Sequence, residues 1–124
     1  MDVHSGDISK LDVYAETVSR YDPFLPSEGA HGRDAFENDV RDVKAAFPDV
    51  TVRAEDILVS DDTAMIEWRW TGTHEGEFGG IPPTDNTVEV RGMMKLVIED
   101  GQIQVERSYY DAQDHLAQLG VTDE

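Results

Sequence analysis

The chain has 124 residues, no cysteine, and 10 lysines and arginines against 27 aspartates and glutamates, which gives a formal net charge of −17. Such an acidic surface repels the phosphates of nucleic acids and anionic lipid headgroups, so the composition excludes nucleic acid and membrane as general partners. Without cysteine, the chain cannot build a zinc-thiolate site, a thiol redox centre or a cysteine nucleophile.

The kinds of charged residue indicate the setting in which the protein works. The chain has 16 aspartates and 11 glutamates but only three lysines. Short, hydrated carboxylates suit high salt, where the Debye length falls to about 3 Å and their repulsion is screened. We therefore expect a cytoplasmic protein of a salt-loving organism, with an ordinary acidic protein as the alternative. The N-terminal residues lack the apolar core of a signal segment, and no apolar run approaches the roughly 18 residues of a membrane span.

The first part of the chain predicts two helices and a short strand. Asp7 is a suitable cap for a short helix over residues 8–14, and residues 17–22 form an extended segment. Over residues 34–47, apolar side chains recur every three to four residues, which predicts an amphipathic helix that Pro48 ends. These apolar side chains are Phe36, Val40, Val43 and Phe47.

The hydrophobic period then changes to two, which predicts strands. A strand over residues 50–59 changes phase near Glu55, which indicates a bulge there. After a turn, a strand over residues 64–74 places Trp68 and Trp70 on its inner face. A loop rich in glycine and proline follows and leads to two further strands.

Asp100-Gly101 joins those last two strands in a hairpin, because both central residues of a type I′ turn need positive φ. A two-residue loop pairs Glu99 with Gln102 and sets the register outward from the turn. One face is then expected to hold Val88, Val90, Gly92, Met94, Leu96, Ile98, Ile103, Val105, Arg107, Tyr109 and Asp111. The other face is expected to hold Glu89, Arg91, Met93, Lys95, Val97, Gln104, Glu106, Ser108 and Tyr110. The first face is the expected core, and it turns polar only over its last three members.

A short helix over residues 112–119 closes the chain, with Gly120 just beyond its end. The order of elements predicts an α+β fold in which a strongly curved, mostly antiparallel sheet packs on helices. The length fits one domain over residues 1–124 that needs neither a disulfide nor a metal for stability.

Several motifs along the chain resemble those of one protein family. They are Phe47-Pro48-Asp49, Gly72-Thr73-His74-Glu75-Gly76-Glu77-Phe78-Gly79-Gly80-Ile81-Pro82-Pro83-Thr84, Val88-Glu89-Val90-Arg91-Gly92, Glu99-Asp100-Gly101-Gln102-Ile103, Tyr110-Asp111 and Gln118-Leu119-Gly120. From about Gly6 to Gly120, the chain resembles the SnoaL-like polyketide cyclases, or ester cyclases, of the NTF2-like superfamily. The resemblance implies an α+β cone around a deep apolar pocket, commonly dimerised through the back of the sheet. It also implies acid/base chemistry by a pocket carboxylate, as in the aldol closure of polyketide esters, although the superfamily includes non-catalytic binding modules.

Asp111 is the first candidate for the pocket carboxylate. It lies where the expected inner row turns polar, and it matches the family's Tyr-or-Trp-Asp position at the end of the last strand. An apolar site would raise its pKa by desolvation into the range of a useful base. The alternative is that Asp111 caps the helix that follows. Arg107 is placed to polarise a carbonyl, or alternatively to pair with Asp111.

The candidate ligand-binding residues are largely aromatic: Tyr21, Phe36, Trp68, Trp70, His74, Met94 and Tyr109. Trp68 and Trp70 are alternatively ordinary core residues, although core and pocket wall nearly coincide in a cone. His74 either reaches the pocket rim or is a solvated loop residue. Tyr21 stands where the family has a histidine before Asp-Pro, and Met94 stands where it often has a polar pocket residue.

The other histidines predict no metal site. His4, His31 and His115 lack a partner at the spacing of an HxH or HExxH motif, so we expect neither a metal nor a cofactor. The chain also lacks most of the helix that family members carry before the position of Gly6. Either the start is truncated or another subunit covers the apolar surface, and the second reading predicts a homodimer or higher homo-oligomer.

Two functions remain open from the sequence. The first is the binding of a small, largely apolar carbonyl or ester compound, with acid/base chemistry of cyclase, isomerase or hydrolase type carried by Asp111. The second is a non-catalytic module for ligand binding or assembly. The family's His-Trp-Asp-like residues correspond here to Glu106-Arg107-Ser108, a departure that bears on the first function.

Overall fold

A curved, unclosed sheet of six strands supports the helices in this computed structural model, which describes residues 3–120. In chain order the elements are a 3₁₀ helix Ile8–Val13, β1 Tyr14–Tyr21, β2 Ala30–His31, α1 Arg33–Ala46, β3 Thr51–Ser60, β4 Thr63–Thr73, β5 Thr87–Glu99, β6 Gln102–Tyr109 and α2 Ala112–Gln118. The strand order is β2-β1-β6-β5-β4-β3, with β1 parallel to β6 and the other neighbours antiparallel. The predicted α+β architecture is confirmed.

Caps and turns follow the local sequence signals. The side chain of Asp7 accepts a hydrogen bond from the backbone N–H of Ser9 at the start of the 3₁₀ helix. Asp100 and Gly101 have φ angles of +52° and +76°, as a type I′ turn requires. Gly120 has a φ of +90° just after α2. The predicted caps and hairpin turn are therefore confirmed.

Two β-bulges change which side chains face inward. The pairing of β3 with β4 shifts at Glu55, as predicted. In β6, Ile103 and Val105 pair with adjacent residues of β5, so Gln104 between them is an extra residue. Because side chains alternate with a period of two, one extra residue turns all later side chains to the opposite face.

The prediction that the inner face continues through Arg107, Tyr109 and Asp111 is therefore wrong. Arg107 and Asp111 are exposed, and Tyr109 is 62 % exposed. Glu106 and Ser108, which were expected on the outer face, are buried instead. The bulge has exchanged the two faces of the strand that carries the candidate site.

The apolar core has two clusters on the inner side of the sheet. The larger one includes Ala46, Phe47, Val50, Val52, Ala64, Ile66, Trp68, Val88, Val90, Met94, Leu96 and Leu119. The smaller one packs the 3₁₀ helix and β1 against α1 and includes Val3, Leu11, Tyr14, Val18, Phe36 and Val40. Within residues 3–120, no helix has both the length and the hydropathy of a membrane span.

Candidate functional site

A cavity of about 540 Å³ is walled by members of both core clusters. Its apolar wall includes Phe24, Phe36, Val40, Val52, Trp68, Trp70, Phe78, Val90 and Met94. Polar side chains also face it, among them His4, Arg20, Asp22, Ser108, Tyr110 and His115. A mostly apolar cavity with a few polar groups is the usual form of a site for a small organic ligand.

Glu106 organises a polar cluster at one wall of this cavity. Its Oε1 lies 2.8 Å from Nε2 of His4 and accepts a hydrogen bond from the Tyr14 hydroxyl, also at 2.8 Å. Its Oε2 accepts a hydrogen bond from Nε of Arg20 at 3.2 Å. Glu106 is only 2 % exposed, and both carboxylate oxygens have partners, as a buried charge requires.

These partners keep Glu106 ionised. Burial by itself raises the pKa of Glu106, but the interactions with His4 and Arg20 outweigh it and lower the pKa to about 2. The hydrogen bond from Tyr14 acts in the same direction. Glu106 is therefore a fixed negative charge and does not itself exchange protons near neutral pH.

His4 is the member of the cluster that has a basic nitrogen to offer. An ionised carboxylate only accepts hydrogen bonds, so the contact with Glu106 places a proton on Nε2 of His4. In the neutral imidazole, Nδ1 then carries the lone pair, and it has no hydrogen-bond partner among residues 3–120. A carboxylate that holds one nitrogen of a histidine while the other is free is the arrangement of an oriented general base.

Arg20 links the cluster to α1 without adding net positive charge to the cavity. Its Nη1 donates to Asp39 at 2.9 Å, and its guanidinium carbon lies 4.0 Å from the ring centroid of Phe36. Two carboxylates, those of Glu106 and Asp39, thus offset one guanidinium. The acidic residues on the cavity wall are Asp22, Asp39, Asp42 and Glu77. Because carboxylates outnumber the one paired guanidinium on the cavity wall, the charges there favour a neutral ligand over an anion.

Asp22, in the segment after β1, is one of the carboxylates on the cavity wall. Oδ1 of Asp22 accepts hydrogen bonds from the Tyr110 hydroxyl and from the backbone N–H of Phe24, both at 2.8 Å. Burial and the neighbouring Asp22 raise the pKa of Tyr110 far above its ordinary value, so it remains a phenol that donates. Asp22 is thus held in place at the cavity wall.

Some predicted ligand-binding residues do line the cavity: Phe36, Trp68, Trp70 and Met94. Tyr21 does not, because its ring lies beneath the guanidinium of Arg107, whose carbon is 4.0 Å from the ring centroid. His74 is fully buried away from the wall, where Nδ1 lies 3.1 Å from Oγ1 of Thr84 and the ring stacks on Phe47. Both the rim position and the solvated alternative for His74 are therefore wrong.

Asp111 is a helix cap. Its Oδ1 accepts a hydrogen bond from the backbone N–H of Asp114 at 3.0 Å, at the start of α2. The predicted pocket positions of Asp111, Arg107 and Tyr109 are wrong, because the bulge in β6 turns this row outward. The capping alternative for Asp111 is confirmed.

The sequence does not reveal the polar cluster, because its members are far apart in the chain. His4 and Glu106 are 102 positions apart, so no motif spacing joins them. One sequence signal does exist in β6. If Gln104 is a bulge residue, then Glu106, Ser108 and Tyr110 occupy alternate positions on the inner face of the strand. Among the described residues, 3–120, no group of three histidine, aspartate or glutamate side chains is placed to hold a metal ion.

Comparisons with known proteins agree with this architecture. Residues 2–119 match the family model of SnoaL-like polyketide cyclases. A candidate SnoaL-like polyketide cyclase from Jannaschia sp. CCS1 is 20% identical with a TM-score of 0.84, and the alignment covers 98% of this chain and 86% of that one. For IdmH, a proposed polyketide cyclase from Streptomyces antibioticus, the identity is 28%, the TM-score 0.78 and the coverage 96% and 91%.

A third similar structure supports the fold class. It is a protein with a ketosteroid isomerase-like fold from Catenulispora acidiphila, solved with trimethylamine, at 19% identity, a TM-score of 0.78 and coverage of 97% and 88%. No curated protein sequence matches the chain. The predicted NTF2-like fold is confirmed by these structural neighbours.

Proposed function

Because the chain belongs to the SnoaL-like polyketide cyclase family, we propose that it binds a small, largely apolar carbonyl or ester compound and catalyses proton transfer on it without a cofactor. The reaction would be of cyclase, isomerase or hydrolase type. The observation that carries the proposal is the pair of His4 and Glu106, an imidazole at the wall of an apolar cavity held by a fully buried carboxylate.

The chemistry begins with a proton on the carbon next to a carbonyl group. Nδ1 of neutral His4 takes that proton, and the C–H electron pair becomes the enolate of the ligand. In a cyclase reaction the enolate carbon forms a bond to a second carbonyl carbon of the same molecule. The oxygen of that carbonyl then takes the proton back from His4, so the residue returns to its neutral form.

Glu106 is a positioning residue in this scheme. Its carboxylate holds Nε2–H of His4 and stabilises the imidazolium that forms when Nδ1 takes the proton. Tyr14 and Arg20 hold Glu106 in turn. The base is thus His4 instead of Asp111, whose side chain caps α2.

Exchange of carbon-bound hydrogen tests the proposed chemistry without knowledge of the natural substrate. 2-Tetralone is a neutral bicyclic ketone whose α-hydrogens exchange with deuterium in D₂O, as proton NMR measures. We expect the protein to accelerate this exchange in proportion to its concentration. Binding of 2-tetralone without acceleration would contradict catalysis and would support the alternative of a non-catalytic ligand-binding module.

We also propose that the protein forms a homodimer or higher homo-oligomer through the outer end of the β3–β4 hairpin. β3 is the edge strand of the sheet, and Leu58, Met65 and Met93 form a patch of exposed apolar side chains on its outer face, while Ile57 and Val59 are exposed on its other face. An exposed edge with such a patch is typical of an association surface. A second copy, with the same patch, is the occupant that the proposal names.

Leu58→Asp tests the association surface. Leu58 is 69 % exposed, so its replacement leaves the core intact while it places a charge in the patch. We expect sedimentation velocity to show an oligomer for the wild type and a monomer for the variant. Val13→Asp, at an apolar position 47 % exposed in the 3₁₀ helix, is the control and stays oligomeric. A monomeric wild type would refute the proposal.

We propose a cytoplasmic protein of a salt-loving organism, on the basis of its net charge of −17. Salt screens repulsion among carboxylates, so the melting temperature should rise between about 0.1 M and about 2 M KCl. Differential scanning calorimetry measures this change. A melting temperature that falls over the same range would count against the adaptation to salt.

A further inference from the structure

His115 is a buried histidine whose ring nitrogens have no hydrogen-bond partner among the described residues. It is 5 % exposed and lines the cavity. Its ring centroid lies 5.1 Å from that of Trp70, 5.4 Å from Phe24 and 5.7 Å from Phe78. Among residues 3–120, neither ring nitrogen has a hydrogen-bond partner, and Nδ1 is fully enclosed. Burying an imidazole in this way costs free energy unless a ligand completes the hydrogen bonding.

The His115 ring is neutral near neutral pH. Burial lowers the pKa of His115 to about 4; Asp114 and a weak contact with the residue's own backbone oppose this shift, and the nearby His74 adds to it. A neutral imidazole has one N–H donor and one acceptor nitrogen.

Enclosure of one ring nitrogen indicates which nitrogen of the neutral imidazole carries the proton. A buried N–H without an acceptor is rarer in proteins than a buried unpaired acceptor. Nδ1 of His115 is the enclosed nitrogen, so the proton belongs on Nε2. Nε2 is not among the fully enclosed atoms and His115 lines the cavity, so Nε2 is the ring nitrogen that can face it. His115 therefore presents an N–H donor to the cavity.

We propose that His115 is a specificity-determining residue, which donates a hydrogen bond from Nε2 to a carbonyl oxygen of the bound ligand. This inference rests on the proposed function, because it assumes that a small organic molecule occupies the cavity. The oxygen belongs to a neutral group, since the wall carries four carboxylates (Asp22, Asp39, Asp42 and Glu77) and its Arg20 is already paired.

The position of His115 separates this contact from the proposed proton transfer. His115 lies among rings next to the larger core cluster, whereas His4 contacts Tyr14 and Phe36 of the smaller cluster. The ligand would therefore have one oxygen at His115 and its reacting carbonyl near His4. The aromatic rings of Trp70 and Phe78 beside His115 favour a flat, unsaturated ligand body at that end.

Three naphthalene probes test the donor. 2-Acetylnaphthalene has a carbonyl acceptor, 2-isopropylnaphthalene has the same shape without it, and 2-naphthol has a hydroxyl that can donate. We expect calorimetric titration of the wild type to give a dissociation constant for the ketone about tenfold lower than for the hydrocarbon. The His115→Phe variant, which keeps an aromatic ring in an aromatic setting, should bind the two with equal affinity.

The controls separate this inference from the proposed function. His31→Phe replaces an exposed histidine outside the cavity wall and should keep the preference for the ketone. A wild type without preference, or a preference that survives in His115→Phe, would overturn the inference. Tighter binding of 2-naphthol than of the ketone that is lost in His115→Phe would also overturn it, because Nε2 would then be the acceptor. These outcomes are independent of 2-tetralone exchange, because that exchange can fail while the preference for the ketone persists. If none of the probes binds, both the role of His115 and the proposed function are overturned.

Discussion

The Glu106→Gln variant is expected to be less stable than the wild type by about 3 kcal/mol at pH 7, the lower end of the cost of breaking a buried ion pair. The change leaves Arg20 buried with one carboxylate instead of two, and it removes the charge that faces His4. Glutamine keeps the size of the side chain, so the loss reports charge and hydrogen bonding instead of packing. Urea denaturation at constant salt measures the difference.

The same variant should change how stability depends on pH. The pKa of Glu106 is lowered from 4.5 to about 2 in the folded protein. A lowered carboxylate pKa contributes stability above the unfolded value, and that contribution is lost as pH falls from about 4.5 toward about 2. The wild type should therefore lose its advantage over Glu106→Gln across this range. Glu99→Gln, at an exposed position before the hairpin turn, is the control and should follow the wild type. A constant difference between wild type and Glu106→Gln down to pH 2 would refute the buried carboxylate.

The His4→Gln variant is expected to lose 2-tetralone exchange by about 10² or more, the usual contribution of a general base. Glutamine can still donate to Glu106 but has no basic nitrogen. Glu106→Gln should lower the rate less, because it disturbs the orientation of His4 and leaves the base in place. Proton NMR of the exchanging positions, with stability measured in parallel, gives both effects.

Two further variants make the assignment of the base decisive. His31→Gln changes an exposed histidine and should leave the exchange rate unaltered. Asp22→Asn removes a cavity-wall carboxylate that the Tyr110 hydroxyl holds in place. An unchanged rate in His4→Gln together with a lost rate in Asp22→Asn would transfer the base to Asp22 and contradict the proposed role of His4.

Asp111 shows what the sequence alone can and cannot predict about the site. Its sequence position supports two roles, a pocket carboxylate at the end of a strand or a cap at the start of a helix, and local residue preferences favour both. Only the orientation of β6 distinguishes them, and that orientation depends on Gln104. A bulge residue of this kind carries no marker in the sequence, unlike the Asp-Gly pair that predicts the turn beside it.

His4 shows a second reason why the site was not predictable. Its significance comes from Glu106, Tyr14 and Arg20, which β1 and β6 bring together by parallel pairing. Parallel strands that lie at opposite ends of the chain leave no pattern in a single sequence that specifies their register. The sequence therefore presents His4 as an isolated histidine near the N-terminus.

The amino-acid sequence by itself determined the order of helices and strands apart from the short β2, the caps, the type I′ hairpin, the first bulge and the α+β class. Each of these depends on residue preferences and periodicities over a few neighbours. The expectation that the protein does not generally bind nucleic acid likewise rests on its acidic composition alone. The tertiary structure decided which carboxylate is buried and which histidine it holds. The buried carboxylate is set by one inserted residue in β6, which shifts the strand register. Its contact with the histidine is set by packing between the two ends of the chain. Neither strand register nor long-range packing can be read from a few neighbouring residues.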